Sequence, residues 1–123
     1  MEIKVFINNA LKADYNNSVL KRIENKFGPV TNDEAKRIIS SVQNTDPIFF
    51  DDDYFYRLLS LEEILDADAD MNVDFESLKI IPLIDLGEND YISFDIKGDT
   101  WCKFNIAEEF EYAKKTSIMD YFK

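Results

Sequence analysis

The sequence predicts an α+β domain: an N-terminal helical hairpin, an antiparallel sheet of about four to six strands, and a short C-terminal helix. Three observations carry this. Apolar residues between 15 and 42 recur at helical spacing. Those from 48 to 105 fall in short β-branched and aromatic runs, separated by acidic or glycine-bearing turns. A last amphipathic turn follows Thr116. At 123 residues, with 46% hydrophobic residues, the chain reads as a single domain spanning 1–123. Its length suffices for a core without disulfide staples.

Residues 2–7 alternate weakly and read as a short strand or a loose leader. From Tyr15 to Phe27 the apolar positions Tyr15, Val19, Leu20, Ile23 and Phe27 form one helical stripe, and Gly28-Pro29 ends it. Thr31-Asn32-Asp33-Glu34 reads as a capping box. It opens a second helix with the stripe Ala35, Ile38, Ile39 and Val42. Ile48-Phe49-Phe50 begins the β part, Asp51-Asp52-Asp53 interrupts, and Tyr54 to Leu59 resumes it. Ser60-Leu61-Glu62-Glu63 is a second capping box, placing a helix from about Leu61 to Asp66 or a little beyond. Asp66 to Asp74 reads as an acidic loop. Leu78 to Ile84 is a buried strand in which Pro82 marks an edge or a bulge. Tyr91 to Ile96 pairs back after the turn at 85–90, and Thr100 to Asn105 follows the turn at 97–99, giving a three-stranded meander. Residues 106–115 fit strand or helix, and Thr116 to Phe122 close as a short helix. Helices, then sheet, then a terminal helix make an α+β arrangement.

The net charge of −11 is unevenly placed. Residues 1–50 carry six acidic and seven basic groups, whereas residues 51–76 carry ten acidic groups against Arg57 alone. Residues 77–123 carry nine acidic and six basic groups. Such a field repels nucleic acid and anionic membranes and attracts basic partners. The plainer reading is that acidic loops keep a small protein dispersed. The single Cys102 excludes an intramolecular disulfide and fits a reducing cytoplasm, where we expect the protein to act. The first residues lack the basic and apolar regions of a signal peptide. No apolar stretch approaches the roughly 20 residues that span a bilayer.

Several of these blocks carry a resemblance. Glu24-Asn25-Lys26-Phe27-Gly28, Ser60-Leu61-Glu62-Glu63-Ile64, the run from Ile80-Ile81-Pro82-Leu83 to Tyr91-Ile92-Ser93-Phe94-Asp95, and Ser117-Ile118-Met119-Asp120-Tyr121-Phe122 occur in that order. Together they resemble the SUKH superfamily, which includes a fungal cell-wall synthesis regulator and many bacterial immunity proteins. Gln43-Asn44-Thr45 stands where the family usually has an Asn-Gly pair. The matched positions are core, cap and turn residues, so the resemblance implies a fold and a binding role and transfers no catalytic residue. It implies an immunity protein that neutralises a toxin domain. The alternative is an intracellular regulatory or scaffolding module of the same fold.

The chemistry-bearing residues point the same way. There is no His to serve as general base or metal ligand. Cys102, beside Trp101 in a strand, reads as a structural thiol. Adjacent acids such as Asp51-Asp52-Asp53 and Glu62-Glu63 are ordinarily solvated and unsuited to acid–base catalysis. Asp66, Asp68 and Asp70 match the first ligands of a calcium loop, but Met71 replaces its glycine and Ser77 its bidentate glutamate. The expectation is therefore no enzyme, no metal and no cofactor. The candidate partner-binding residues are Asp51, Asp52, Asp53, Glu62, Glu63, Asp66, Asp68, Asp70 and Asp74, with Tyr54 and Tyr56 as aromatic anchors. The expected partner is a basic toxin C-terminal domain, most simply a nuclease, which must itself bind phosphates. The protein would meet it as a monomer or weak dimer, with no nucleic-acid or membrane contact of its own.

Overall fold

The computed structural model describes residues 2–51 and 53–122. Three helices lead: α1 (Ile3–Lys12), α2 (Asn17–Phe27) and α3 (Asp33–Ile39). A hairpin of β1 (Ile48–Asp51) and β2 (Tyr54–Leu58) comes next, followed by α4 (Leu61–Leu65), α5 (Ala67–Met71) and α6 (Phe75–Leu78). The chain then runs through β3 (Ile80–Gly87), β4 (Asp90–Asp95), β5 (Thr100–Asn105) and β6 (Phe110–Lys115) to a 3-10 turn at Ile118–Tyr121. The six strands form one antiparallel sheet in sequence order, so β1 and β6 are its edges. The protein is α+β. Among the described residues no helix is long and apolar enough to cross a membrane.

The opening segment is a helix where a strand or leader was expected. Ile3, Ile7 and Ala10 fall one turn apart and are all buried, a helical stripe hidden within the short apolar run. The two helices expected on either side of Gly28-Pro29 form, as α2 and α3. Gly28 takes a φ of 105° at the end of α2, a region open to glycine and costly for other residues. The cap of α3 is Asn32, whose side chain accepts from the Ala35 amide, and not Thr31. Glu34, freed from the expected box, instead accepts from the Ile118 amide at 2.6 Å and the Ser117 hydroxyl at 3.2 Å. It ties α3 to the C-terminal turn. The second box forms as read: Ser60 Oγ accepts from the Glu63 amide while Glu63 accepts from the Ser60 amide.

The acidic stretch 66–74 is not a loop. It folds into α5 and the turn leading to α6, pinned by buried Ala67, Val73 and Phe75. Lys26 clasps its start, donating to the Leu65 carbonyl at 2.6 Å and meeting Asp68 at 2.9 Å. A cation at the carboxyl end of α4 matches the helix dipole.

Both faces of the central strands are covered. Register links Phe49, Tyr56, Leu58, Ile84, Ile92 and Lys103 on one face, and Tyr91, Cys102 and Phe104 on the other. Phe6 of α1 meets Phe49 on the first face at 5.5 Å, and Phe75 of α6 meets Phe104 on the second at 5.6 Å. Pro82 lies beside a register shift and beyond the end of β2, so it is both edge and bulge in an otherwise interior strand. The ambiguous stretch 106–115 supplies β6, and the closing helix is reduced to the 3-10 turn.

Candidate functional site

The first face of the sheet carries a cleft of about 820 Å³ at the end where the β1–β2 and β3–β4 turns meet. Its floor follows from strand register. Asp51 lies opposite Tyr54, Phe49 opposite Tyr56, and Ile92 opposite Lys103, so Asp51, Tyr54, Tyr56, Asp90, Ile92 and Lys103 share one face by the two-residue alternation of strands. Lys4 of α1 and the rings of Tyr121 and Phe122 close its sides. Phe122 meets Tyr56 edge-on at 5.2 Å, while Tyr54 and Tyr56 stack at 6.4 Å. Burial, and then the Asp51 carboxylate, push the Tyr56 phenol above its ordinary range.

Four carboxylates, Asp51, Asp53, Glu88 and Asp90, line the cleft against the two amines of Lys4 and Lys103. Asp90 is held in place: Asn105 donates to it at 2.9 Å. Burial and a hydrogen bond to Asp90 push Tyr112 up to about 12. Glu88 is held by the backbone. Glu88 and Asn89 take φ of 53° and 71° in the two-residue turn between β3 and β4. That is a type I′ geometry, in which Asn or Gly is the usual choice at both positions. A glutamate there is strained, and strain of this kind gathers at functional sites. Tyr54 is 66% exposed at the mouth. An acidic, aromatic-walled cleft with few compensating cations suits lysine or arginine side chains, through charge pairing and contact over ring faces.

The residues expected from sequence separate into three groups. Asp51, Asp53, Tyr54 and Tyr56 converge on the cleft, as read. Asp52 lies outside the described residues. Glu62 and Glu63 do not line it. Glu62 pairs with Arg22 at 3.0 Å, and Glu63 serves the capping box and pairs with Arg57 at 2.7 Å. Asp66, Asp68, Asp70 and Asp74 belong to the helical layer beside α6. There Asp68 meets Lys26, and Asp74 caps α6 by accepting from Ser77, whose bonds hold Asp74 below the ordinary carboxylate range. Among the described residues no group of three or more Cys, Asp or Glu is gathered closely enough to hold a metal ion.

Sequence reasoning missed Glu88, Asp90, Lys103 and Lys4. The acidic turn at 85–90 was visible, but its meeting with the 51–54 hairpin depends on the order and register of four strands. Cys102 is fully buried, and burial followed by the nearby Glu111 carboxylate raises its thiol far above the range of a nucleophile. No family model, no curated protein and no solved structure matches this chain.

Proposed function

We propose that this protein is a binding module that captures a basic protein partner, and that the partner is a toxin domain neutralised in the cytoplasm. One observation carries the reading: the acidic, aromatic-walled cleft framed by Asp51, Asp53, Tyr54, Glu88 and Asp90. A nuclease toxin presents lysine and arginine side chains because it must hold phosphates. Those side chains are what such a cleft accepts, and occupying them would block the toxin's hold on nucleic acid. Like charges concentrated on one face also accelerate encounter and make it sensitive to salt. The order of the capped helix, the Ile-Ile-Pro-Leu strand and the terminal Ser-Ile-Met-Asp-Tyr-Phe supports the same role through resemblance to the SUKH superfamily.

The test is a charge series in the cleft, with the basic toxin domain that co-purifies with the protein at low salt as ligand. Replacing Asp51, Glu88 and Asp90 together by lysine should slow association by about tenfold or more and flatten its salt dependence. The same number of reversals at Glu62, Asp70 and Glu76, outside the cleft, should leave affinity within a few fold. Equal loss from both sets would mean that net charge, and not the cleft, drives binding.

A further inference from the structure

Strand β1 offers an open edge next to the cleft. The Leu58 amide donates to the Pro47 carbonyl at 3.0 Å, which fixes the parity of the β1–β2 ladder. Residues 47, 49 and 51 then face β2, and the N–H and C=O groups of Ile48 and Phe50 point away from the sheet. Among the described residues nothing bonds to those groups. Their side chains are open too: Ile48 is 49% and Phe50 70% exposed, with Phe50 resting on Phe55 at 6.0 Å. An exposed apolar edge invites pairing unless something fills it.

We propose that β1 is a strand-addition site, and that its occupant is an extended segment of the basic partner, alternating basic and apolar residues. The inference rests on the reading of the cleft as a site for a basic protein. The charge of the edge selects the occupant. No lysine or arginine occurs between residues 38 and 56, while Asp46 precedes the strand, Asp51 ends it and Asp53 follows it. Asp46 pairs with Arg57, but Asp51 and Asp53 make no ion pair among the described residues. A second copy of this chain would set the same aspartates of both copies along one ladder, where like charges repel. A basic strand meets no such penalty. Its apolar side chains would lie beside Ile48 and Phe50 on one face. Its basic ones would fall on the other face, beside Asp51 at the end of β1 and so at the mouth of the cleft.

The probe is a capped eight-residue peptide alternating lysine and valine. Its controls are a lysine-to-glutamate version and a peptide of the same composition with the lysines and valines in two blocks. Binding is followed by calorimetry, and amide exchange by NMR. The alternating peptide should bind at low salt and slow exchange of the Ile48 and Phe50 amides by about tenfold or more, and neither control should do so. Phe50→Pro removes an outward N–H that β2 does not use, so the fold tolerates it and binding is lost. Phe50→Ala keeps that N–H and retains part of the affinity. Should Phe50→Pro fail to fold, the exchange map and Phe50→Ala decide alone. Binding without slowed exchange at Ile48 and Phe50, or undiminished in Phe50→Pro, overturns strand addition. Slowed exchange that grows with protein concentration in the absence of peptide overturns it in favour of self-pairing. The two readings separate through Glu88→Gln with Asp90→Asn. If those changes abolish peptide binding while Phe50→Pro does not, the cleft stands and the edge falls. Loss in Phe50→Pro with no effect of Glu88→Gln and Asp90→Asn leaves the edge and removes the cleft.

Discussion

Arg57 is where charge on this protein becomes structure. Its guanidinium meets Glu63 at 2.7 Å and Asp46 and Asp85 at 3.2 Å each, linking the loop before β1, the start of α4 and strand β3. Replacing it by alanine leaves the partly buried carboxylates of Glu63 and Asp85 without their cation and should cost about 2–3 kcal/mol in denaturant unfolding. A loss under 0.5 kcal/mol would class the cluster with ordinary surface pairs. Glu88 makes the opposite case. Its left-handed backbone is strained, so Glu88→Asn should stabilise the fold by roughly 0.5–1 kcal/mol, while removing one cleft carboxylate and slowing partner association. Stabilisation together with unchanged association would show the strain to be incidental. Glu111 gives a pH-dependent case. Burial, then the neighbouring Asp95 carboxyl, raise its pKa, with Cys102 and Lys114 opposing more weakly. A carboxyl raised on folding favours the native state only while protonated, so stability falls as pH climbs from the ordinary glutamate pKa through the raised one. Glu111→Gln should therefore melt higher than the native protein at pH 7. The difference should vanish below about pH 4.3, where an ordinary glutamate is itself protonated. A gain that persists at low pH would have another origin.

At the scale of elements, the fold is held by capped short helices and by ties between distant segments. The tie from Glu34 to Ser117 and Ile118 matters most for the site, because Tyr121 and Phe122 just beyond it form a wall of the cleft. Glu34→Ala leaves the Ile118 amide unpaired. It should lower stability by about 1–3 kcal/mol and expose the last six residues to carboxypeptidase faster than the rest of the chain. Uniform protection of the C-terminus in that variant would show that Phe122 packing alone secures it. The same elements show what could be read in advance. The stripes of α2 and α3, the Ser60 box and the 80–105 meander were legible because local pattern and final structure agree there. α1 was not, since Ile3, Val5 and Ile7 also fit a period of two and the deciding contact, Phe6 on Phe49, lies far along the chain. α5 and α6 have five and four residues and would not persist alone, so nothing local announced them. Burial of Ala67 and Phe75 makes them helices. In the site, the Asp51–Tyr56 hairpin was legible as one acidic and aromatic segment, whereas Glu88, Asp90 and Lys103 join it only through register.

At the scale of the whole molecule, the charge has two consequences that pull apart. A net −11 at pH 7 repels itself, and the compact state concentrates that repulsion. Much of the acidic helical layer is nevertheless satisfied from within, by Lys26 against Asp68, Arg22 against Glu62 and the cap at Asp74. The cleft carboxylates are not offset to the same degree, with four against two amines. Unscreened repulsion should therefore be concentrated at the cleft, the place proposed to receive a basic partner. Raising NaCl from about 0.01 M to about 1 M cuts the Debye length from about 30 Å to about 3 Å. The melting temperature at pH 7 should rise by several degrees over that range, and should change little near pH 4.3, where the net charge is close to zero. Replacing Asp51, Glu88 and Asp90 by their neutral amides should remove a larger share of that salt response than neutralising Glu62, Asp70 and Glu76. Differential scanning calorimetry of the two triple variants across salt measures this without any partner present. Equal shares would mean that the repulsion is spread evenly over the surface, and that the cleft holds no reserve of charge for a basic protein to relieve.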